Sequence, residues 1–142
     1  MNRIDQKHNV FMDIAKCLAK LSTCQRRAVG CVLVNDYNRI IGTGYNGVAT
    51  SHQHCRDGMT CPGAFAESGE QMDKCYAIHA ETNAITQTFG RPIHVAYVTT
   101  FPCVHCIKHL LTTQCQLIVY SDNYSNGGYD LWQQSNRRIL QL

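Results

Sequence analysis

Residues 28–34, Ala-Val-Gly-Cys-Val-Leu-Val, form an almost unbroken apolar run with three valines. An apolar run of this kind is the pattern of a strand buried on both faces. The rest of the chain must therefore supply cover above and below it.

The remaining pattern supplies that cover. Phe11, Ile14, Ala15, Leu18 and Leu21 recur at helical spacing and predict an amphipathic helix over 5–21, ended by Ser22 and the polar stretch through Arg27. Asn35-Asp36-Tyr37-Asn38 is a turn cluster, so residues 39–45 pair back on 28–34 as an antiparallel hairpin. Between Asn46 and about Lys74 no periodicity is evident, and the segment holds four glycines and one proline. Structureless segments this long are usually functional or bound to something. A helix is predicted over 76–88, with Ile78, Ala80, Ala84 and Ile85 toward the core and Gly90 and Pro92 stopping it. Then follow a strand over 93–100, a helix over 103–114 with Pro102 at its start, and a strand over 116–120. Residues 121–128 read as a loop, and 129–142 as a short helix and short strand, or else one longer helix. The order α-β-β-α-β-α-β-α-β predicts a three-layer α/β/α sandwich around one mixed five-stranded sheet, a single domain over 1–142.

Hydrophobic residues make up 44% and charged residues 16%, which excludes a disordered chain and argues against a coiled coil. Nine cysteines and seven histidines leave two readings, a disulfide framework or metal binding in a reduced compartment. The count of nine leaves at least one cysteine over in a fully bridged monomer. Met1 to Gln6 is polar and no apolar core follows it, so no signal peptide is expected, and no apolar run approaches the ~20 residues of a membrane span. The cysteines are therefore read as intracellular thiols, some of them metal ligands, in a cytoplasmic protein. The net charge of +3 suits a small anionic ligand as well as a nucleic acid and decides nothing.

The chemistry concentrates in two short stretches. His79 opens one predicted helix with Glu81 two residues on, and Pro102-Cys103-Val104-His105-Cys106 opens the next. Residues three apart share a helix face, so Cys103 and Cys106 can point to one centre. A helix N-terminus favours thiolate over thiol. Two thiolates and one imidazole make a three-ligand zinc site with an open fourth position, an arrangement of catalytic rather than structural zinc. Zinc in such a site lowers the pKa of water toward ~7. Glu81, close to the metal but not needed as a ligand, can take the proton of that water and pass it on. A buried histidine with two core cysteines is the competing reading, and it accounts for neither Glu81 nor Pro102.

His-x-Glu followed by Pro-Cys-x-x-Cys is the pattern of zinc nucleobase deaminases. His79-Ala80-Glu81-Thr82-Asn83-Ala84-Ile85 and Thr99-Thr100-Phe101-Pro102-Cys103-Val104-His105-Cys106 resemble the motifs of the deoxycytidylate (dCMP) deaminase family within the cytidine deaminase superfamily. Arg26-Arg27-Ala28-Val29-Gly30-Cys31-Val32 is similar to that family's first strand. Gly42-Thr43-Gly44-Tyr45-Asn46-Gly47 resembles the second-strand motif that separates it from other members. The resemblance runs from Ser22 to about Tyr124. It implies a cytidine deaminase-like fold and hydrolytic deamination of dCMP to dUMP and ammonia, feeding thymidylate synthesis. It implies that Asn46 bonds the deoxyribose hydroxyl, and that Ala80, Thr100 and Phe101 line the base pocket. Tyr124 would close over the nucleotide near its phosphate, and Arg26 or Arg27 would bind that phosphate. It also implies a homohexamer activated by dCTP and inhibited by dTTP with Mg2+, with Gly44, Tyr45 and Asn46 at the effector site.

Cys24, Cys55, Cys61 and Cys75, with His52 or His54 as a substitute ligand, are expected to hold a second, structural zinc, as family members with cysteines around this insert do. Four N/S ligands close such a site, and free thiols in a reducing cytosol are the alternative. Cys17, Cys31 and Cys115 sit in apolar patterns and read as packing. A zinc deaminase acting on a base in RNA or single-stranded DNA ranks second, because no basic cluster exceeds two residues. A non-catalytic zinc module that binds nucleic acid ranks third, because Glu81 and an open metal position have no use there. Neither a nucleic acid nor a membrane is an expected partner.

Overall fold

The structure is a computed structural model that describes residues 1–24, 26–54, 63, 67, 70, 75–124 and 127–142. Helix α1 (Arg3–Ala19) leads into strands β1 (Gly30–Val34) and β2 (Ile40–Tyr45). Helix α2 (Ala80–Thr86), β3 (Val95–Thr100), α3 (Val104–Leu111), β4 (Leu117–Asp122), α4 (Gly128–Gln134) and β5 (Arg138–Gln141) follow. The five strands form one sheet in the order β2-β1-β3-β4-β5. β1 is antiparallel to both β2 and β3, while β3, β4 and β5 run parallel. This is the expected mixed five-stranded sheet, and the ending 129–142 is a helix and a strand rather than one longer helix.

β1 is buried at all five positions. Its alternate side chains feed two cores. Cys31 and Leu33 join Ala96, Val98, Ile118 and Tyr120 beneath α2, α3 and α4. Val32 and Val34 join Val95, Tyr97, Leu117 and Val119 against Met12 and Ala15 of α1. The period of two in the strands thus meets the period of 3.6 in the helices on both sides of the sheet. Asn2 caps α1, its side chain accepting from the Asp5 N–H at 2.9 Å. On the α1 face, His8 Nδ1 meets the Tyr97 hydroxyl at 2.9 Å, and burial holds the His8 pKa below its ordinary value.

Trp132 is fully buried, and its indole N–H donates to the Arg138 carbonyl at 3.0 Å. The Arg137 guanidinium lies over the Trp132 ring and donates to the carbonyls of Leu110, Leu111, Thr113 and Cys115. It thereby satisfies the open C-terminal end of α3.

Two expected helices are shorter than their patterns. α2 begins at Ala80, not at Tyr76, because Ile78 and Gly47 exchange backbone hydrogen bonds at 2.8 and 3.2 Å. That bridge holds the chain extended up to His79, which becomes the N-cap. At its other end α2 gives way to a turn in which Phe89 and Gly90 take φ +50° and +78°. α3 begins at Val104, with Cys103 as N-cap and Pro102 outside it. It stops at Leu111, where the Thr112 and Thr113 hydroxyls donate to the carbonyls of His109 and Leu110.

The strand directions collect one edge of the sheet. Gly30 pairs with Tyr45, Cys31 with Val98, and Thr100 with Asp122. The start of β1 and the ends of β2, β3 and β4 therefore meet there, at the carboxyl ends of the parallel strands, where α/β sheets build their sites. Two glycines set how closely helices approach. A Cβ on Gly30 would lie 1.9 Å from the Ala15 carbonyl oxygen, and one on Gly44 2.2 Å from that of Ala80. Both obstacles are helix backbone, so neither can rotate away.

Gly44→Ala must lift the first turn of α2 off β2. Overpacking of this kind costs about 1–3 kcal/mol. A urea titration should show a lower midpoint with an unchanged slope, and an unaltered midpoint would contradict the packing account.

Candidate active site

The N-termini of α2 and α3 bring three donors together. His79 is the N-cap of α2, Cys103 is the N-cap of α3, and Cys106 lies in the first turn of α3. His79 Nδ1 is 3.3 Å from Cys106 Sγ and 3.4 Å from Cys103 Sγ, and the three donor atoms lie within 4.8 Å of one another. Among the described residues this is the one group of three or more such side chains so placed. Zinc–sulfur and zinc–nitrogen bonds of ordinary length, at a tetrahedral angle, set nitrogen and sulfur about 3.6 Å apart. The observed separations and the soft donor set fit a zinc ion, with Nδ1 as the imidazole donor.

The electrostatics point the same way. The Cys106 thiol hydrogen-bonds Cys103 and pulls the Cys103 pKa down to about 3. The same bond, with burial, pushes Cys106 far up. The hydrogen bond with Cys103 raises His79 above its ordinary value, against burial and the charge of Arg26. Three donors competing for protons in so small a volume are the state that a divalent cation relieves by displacing those protons. Glu81, in the first turn of α2, is only 4% exposed. Burial raises its pKa, with the charge of His79 and a hydrogen bond with Cys106 opposing. A buried carboxyl poised in this way suits proton transfer.

A cleft of about 170 Å³ opens above these groups. Arg26, Asn46, Ala80, Thr100, Phe101 and Tyr124, expected at the site, all line it, with His79, Glu81 and Cys103. Ala80, Thr100 and Phe101 are buried, and the Phe101 ring is fixed edge-on against Tyr120 at 5.0 Å. Asn46 is also buried, and its amide works mainly within the protein. Its Oδ1 accepts from the Val29 N–H at 2.8 Å and its Nδ2 donates to the Arg27 carbonyl at 2.5 Å. Arg27, Val29 and Ala77 also line the cleft. Arg27 is the expected alternative to Arg26, whereas Val29 and Ala77 carry no sequence signal that separates them from packing residues.

Cys24 and Cys75, expected at a second zinc, line this same cleft. Cys55 and Cys61 lie outside the described residues, and His52 and His54 are exposed. Cys17, Cys24, Cys31, Cys103, Cys106 and Cys115 are free thiols, so the disulfide reading finds no support among them. Cys31 and Cys115 are fully buried as expected, but Cys17 is exposed on α1 and is not a packing residue. Of the residues expected at an effector site, Gly44 and Tyr45 line a separate hollow of about 610 Å³ between β2 and α2. Asn46 faces the catalytic cleft instead. No described residue lining that hollow is cationic. No described helix is long and apolar enough to cross a membrane.

Comparison with known proteins agrees with this geometry. A deoxycytidylate deaminase of Schizosaccharomyces pombe is 36% identical over 120 residues, 81% of this chain, which spans only 37% of that protein's length. A deoxycytidylate deaminase of Mycobacterium phage D29 is 34% identical over 119 residues, covering 78% of this chain and 90% of its own. The crystal structure of the dCMP deaminase of cyanophage S-TIM5 superposes over the full length of both chains with a TM-score of 0.78 at 22% identity, and has also been solved with dCMP and dUMP. That likeness shows a shared fold. Residues 5–122 match the family described as the cytidine and deoxycytidylate deaminase zinc-binding region, and the chain belongs to that family.

Proposed function

We propose that this protein catalyses the hydrolytic deamination of dCMP to dUMP and ammonia, with residues 1–142 acting as one deaminase unit. The observation that carries this reading is the buried Glu81 carboxyl beside the His79, Cys103 and Cys106 donors, at the floor of a cleft lined by two arginines. His79, Cys103 and Cys106 would hold zinc, which when bound makes water a nucleophile near neutral pH. In the reaction, water adds at C4 of the cytosine. Glu81 takes a proton from that water and delivers it to N3, then carries the second proton to the amine at C4. The C4–N bond breaks, ammonia leaves, and the C4 carbonyl of uracil remains.

The other roles follow from position. Ala80, Thr100 and Phe101 form walls for the base. Asn46 has a second amide proton for the deoxyribose hydroxyl. Arg26 and Tyr124, which line the cleft, would hold the 5′-phosphate. The product dUMP would feed thymidylate synthesis in the cytoplasm, whose reducing poise suits exposed thiols such as Cys17. A second, structural zinc on Cys24, Cys55, Cys61 and Cys75, with His52 or His54 as a substitute ligand, remains part of this proposal. So does a homohexamer regulated by dCTP and dTTP through Gly44, Tyr45 and Asn46. Because the hollow at Gly44 and Tyr45 has no described cationic lining, a triphosphate there would need its countercharge from Mg2+ or from another copy of the chain.

Three measurements test these points. Glu81→Gln should keep its zinc and its affinity for dUMP while kcat falls about 10²–10⁴-fold, the range of general acid–base assistance; turnover near that of the wild type would end the assignment. Atomic absorption should find two zinc ions per chain, falling to one in Cys24→Ser, whereas one in the wild type removes the structural site. At limiting dCMP with Mg2+, dCTP should raise the rate and dTTP lower it, and rates indifferent to both would remove the regulatory claim.

A further inference from the structure

β2 is an outer strand of the sheet, with β1 as its neighbour on one side. Its other side is closed by side chains from α2 and the turn after it. Asn83 Nδ2 donates to the Tyr45 carbonyl at 3.0 Å. The Thr43 N–H and hydroxyl donate to Gln87 Oε1 at 3.2 and 3.3 Å. Arg91 Nη2 donates to the Ile41 carbonyl at 3.0 Å. The partners from α2 advance by four residues while those of β2 step back by two. Four residues of helix rise about 6 Å and two of strand about 6.6 Å, so one register satisfies all three rungs.

The same register holds beneath the helix. A Cβ on Gly44 would lie 2.2 Å from the Ala80 carbonyl oxygen, and one on Gly42 2.3 Å from that of Ala84. These glycines set how deep α2 lies. They offer no side chain to stop it sliding along β2, and the ladder of amide and guanidinium bonds supplies that stop. Sliding matters because His79 and Glu81 ride at the leading end of α2, whereas Cys103 and Cys106 belong to α3. An axial shift of α2 changes the 3.3 and 3.4 Å separations of His79 Nδ1 from the two sulfurs. Asn83 is the rung one turn from the imidazole, its own N–H bonded to the His79 carbonyl at 3.0 Å.

We infer that Asn83 and Gln87 are positioning residues, whose bonds to β2 fix the axial place of α2 and hence of His79 and Glu81 relative to Cys103 and Cys106. The kinetic consequence rests on the deaminase reading above, and the placing of the donors rests on geometry alone. The two rungs have opposite polarity. Asn83 gives a proton to β2, and Gln87 receives two from it.

The test uses the full chain, loaded with zinc for kinetics and with cobalt(II) for visible absorption. A misplacement of about 1 Å can cost ~10²-fold in rate, so Asn83→Ala should lower kcat per bound zinc about tenfold or more with KM for dCMP unchanged. Gln87→Met should lower kcat less. Gln87→Glu should restore it, because a carboxylate still accepts from Thr43. Asn83→Asp should not restore it, because a carboxylate has no proton for the Tyr45 carbonyl. The cobalt bands should shift in Asn83→Ala and Gln87→Met and return in Gln87→Glu. A ladder that only shields the sheet edge would lower the urea midpoint of these variants and leave kcat and the cobalt bands at their wild-type values. That result overturns the inference while the deaminase reading stands. If the wild type does not deaminate dCMP, the deaminase reading fails, and the cobalt bands decide whether the ladder places the donors.

Discussion

The distance between α2 and β2 decides where the imidazole stands. His79 and Glu81 are on the first turn and cap of a seven-residue helix, too short to hold its place by itself. It is held by packing, with Ala80 and Ala84 fully buried against the sheet. Gly44 lets the Ala80 carbonyl lie where a side chain would otherwise be. The Gly47–Ile78 bridge fixes the strand leading into the helix. The site is thus set from two directions, by a contact without a side chain and by a pair of backbone hydrogen bonds.

The second half of the donor set arrives by a different device. β3 ends at Thr100 and the chain turns at once into α3, so Cys103 and Cys106 project from a helix start anchored to the centre of the sheet. At the far end of α3, Arg137 takes up four carbonyls and rests on the buried Trp132. One helix is therefore fixed at its C-terminus by a guanidinium, while its N-terminus is left to present two sulfurs. Anchoring the end remote from the chemistry leaves the other end to carry the donors.

His79, Glu81, Cys103 and Cys106 are legible in the sequence because their geometry is local. Residues two or three apart at a helix start share a direction whatever the rest of the chain does. The sheet is legible for a related reason, since the apolar run at β1 can be satisfied only with cover on both faces. The start of α2 is not legible, because Ile78 takes its partner from Gly47, far upstream. The work of Asn46 is hidden in the same way: its bonds to Val29 and Arg27 exist only once β1 and β2 are paired in register. Cys24 and Cys103 stand far in the sequence from Cys75 and His79, and only the fold places all four around one cleft.

The charges are arranged along the depth of that cleft. At the floor, burial raises the Glu81 pKa, so this carboxyl holds a proton more readily than an exposed glutamate does. At the mouth, Arg27 is exposed and Arg26 is half-buried, where cations cost little to maintain. The two zones are not independent. The hydrogen bond with Cys103 draws a proton toward His79, and the positive charge of Arg26 opposes it. The charge of Arg26 thus reaches the floor of the cleft, where it works against protonation of His79 without outweighing the hydrogen bond with Cys103.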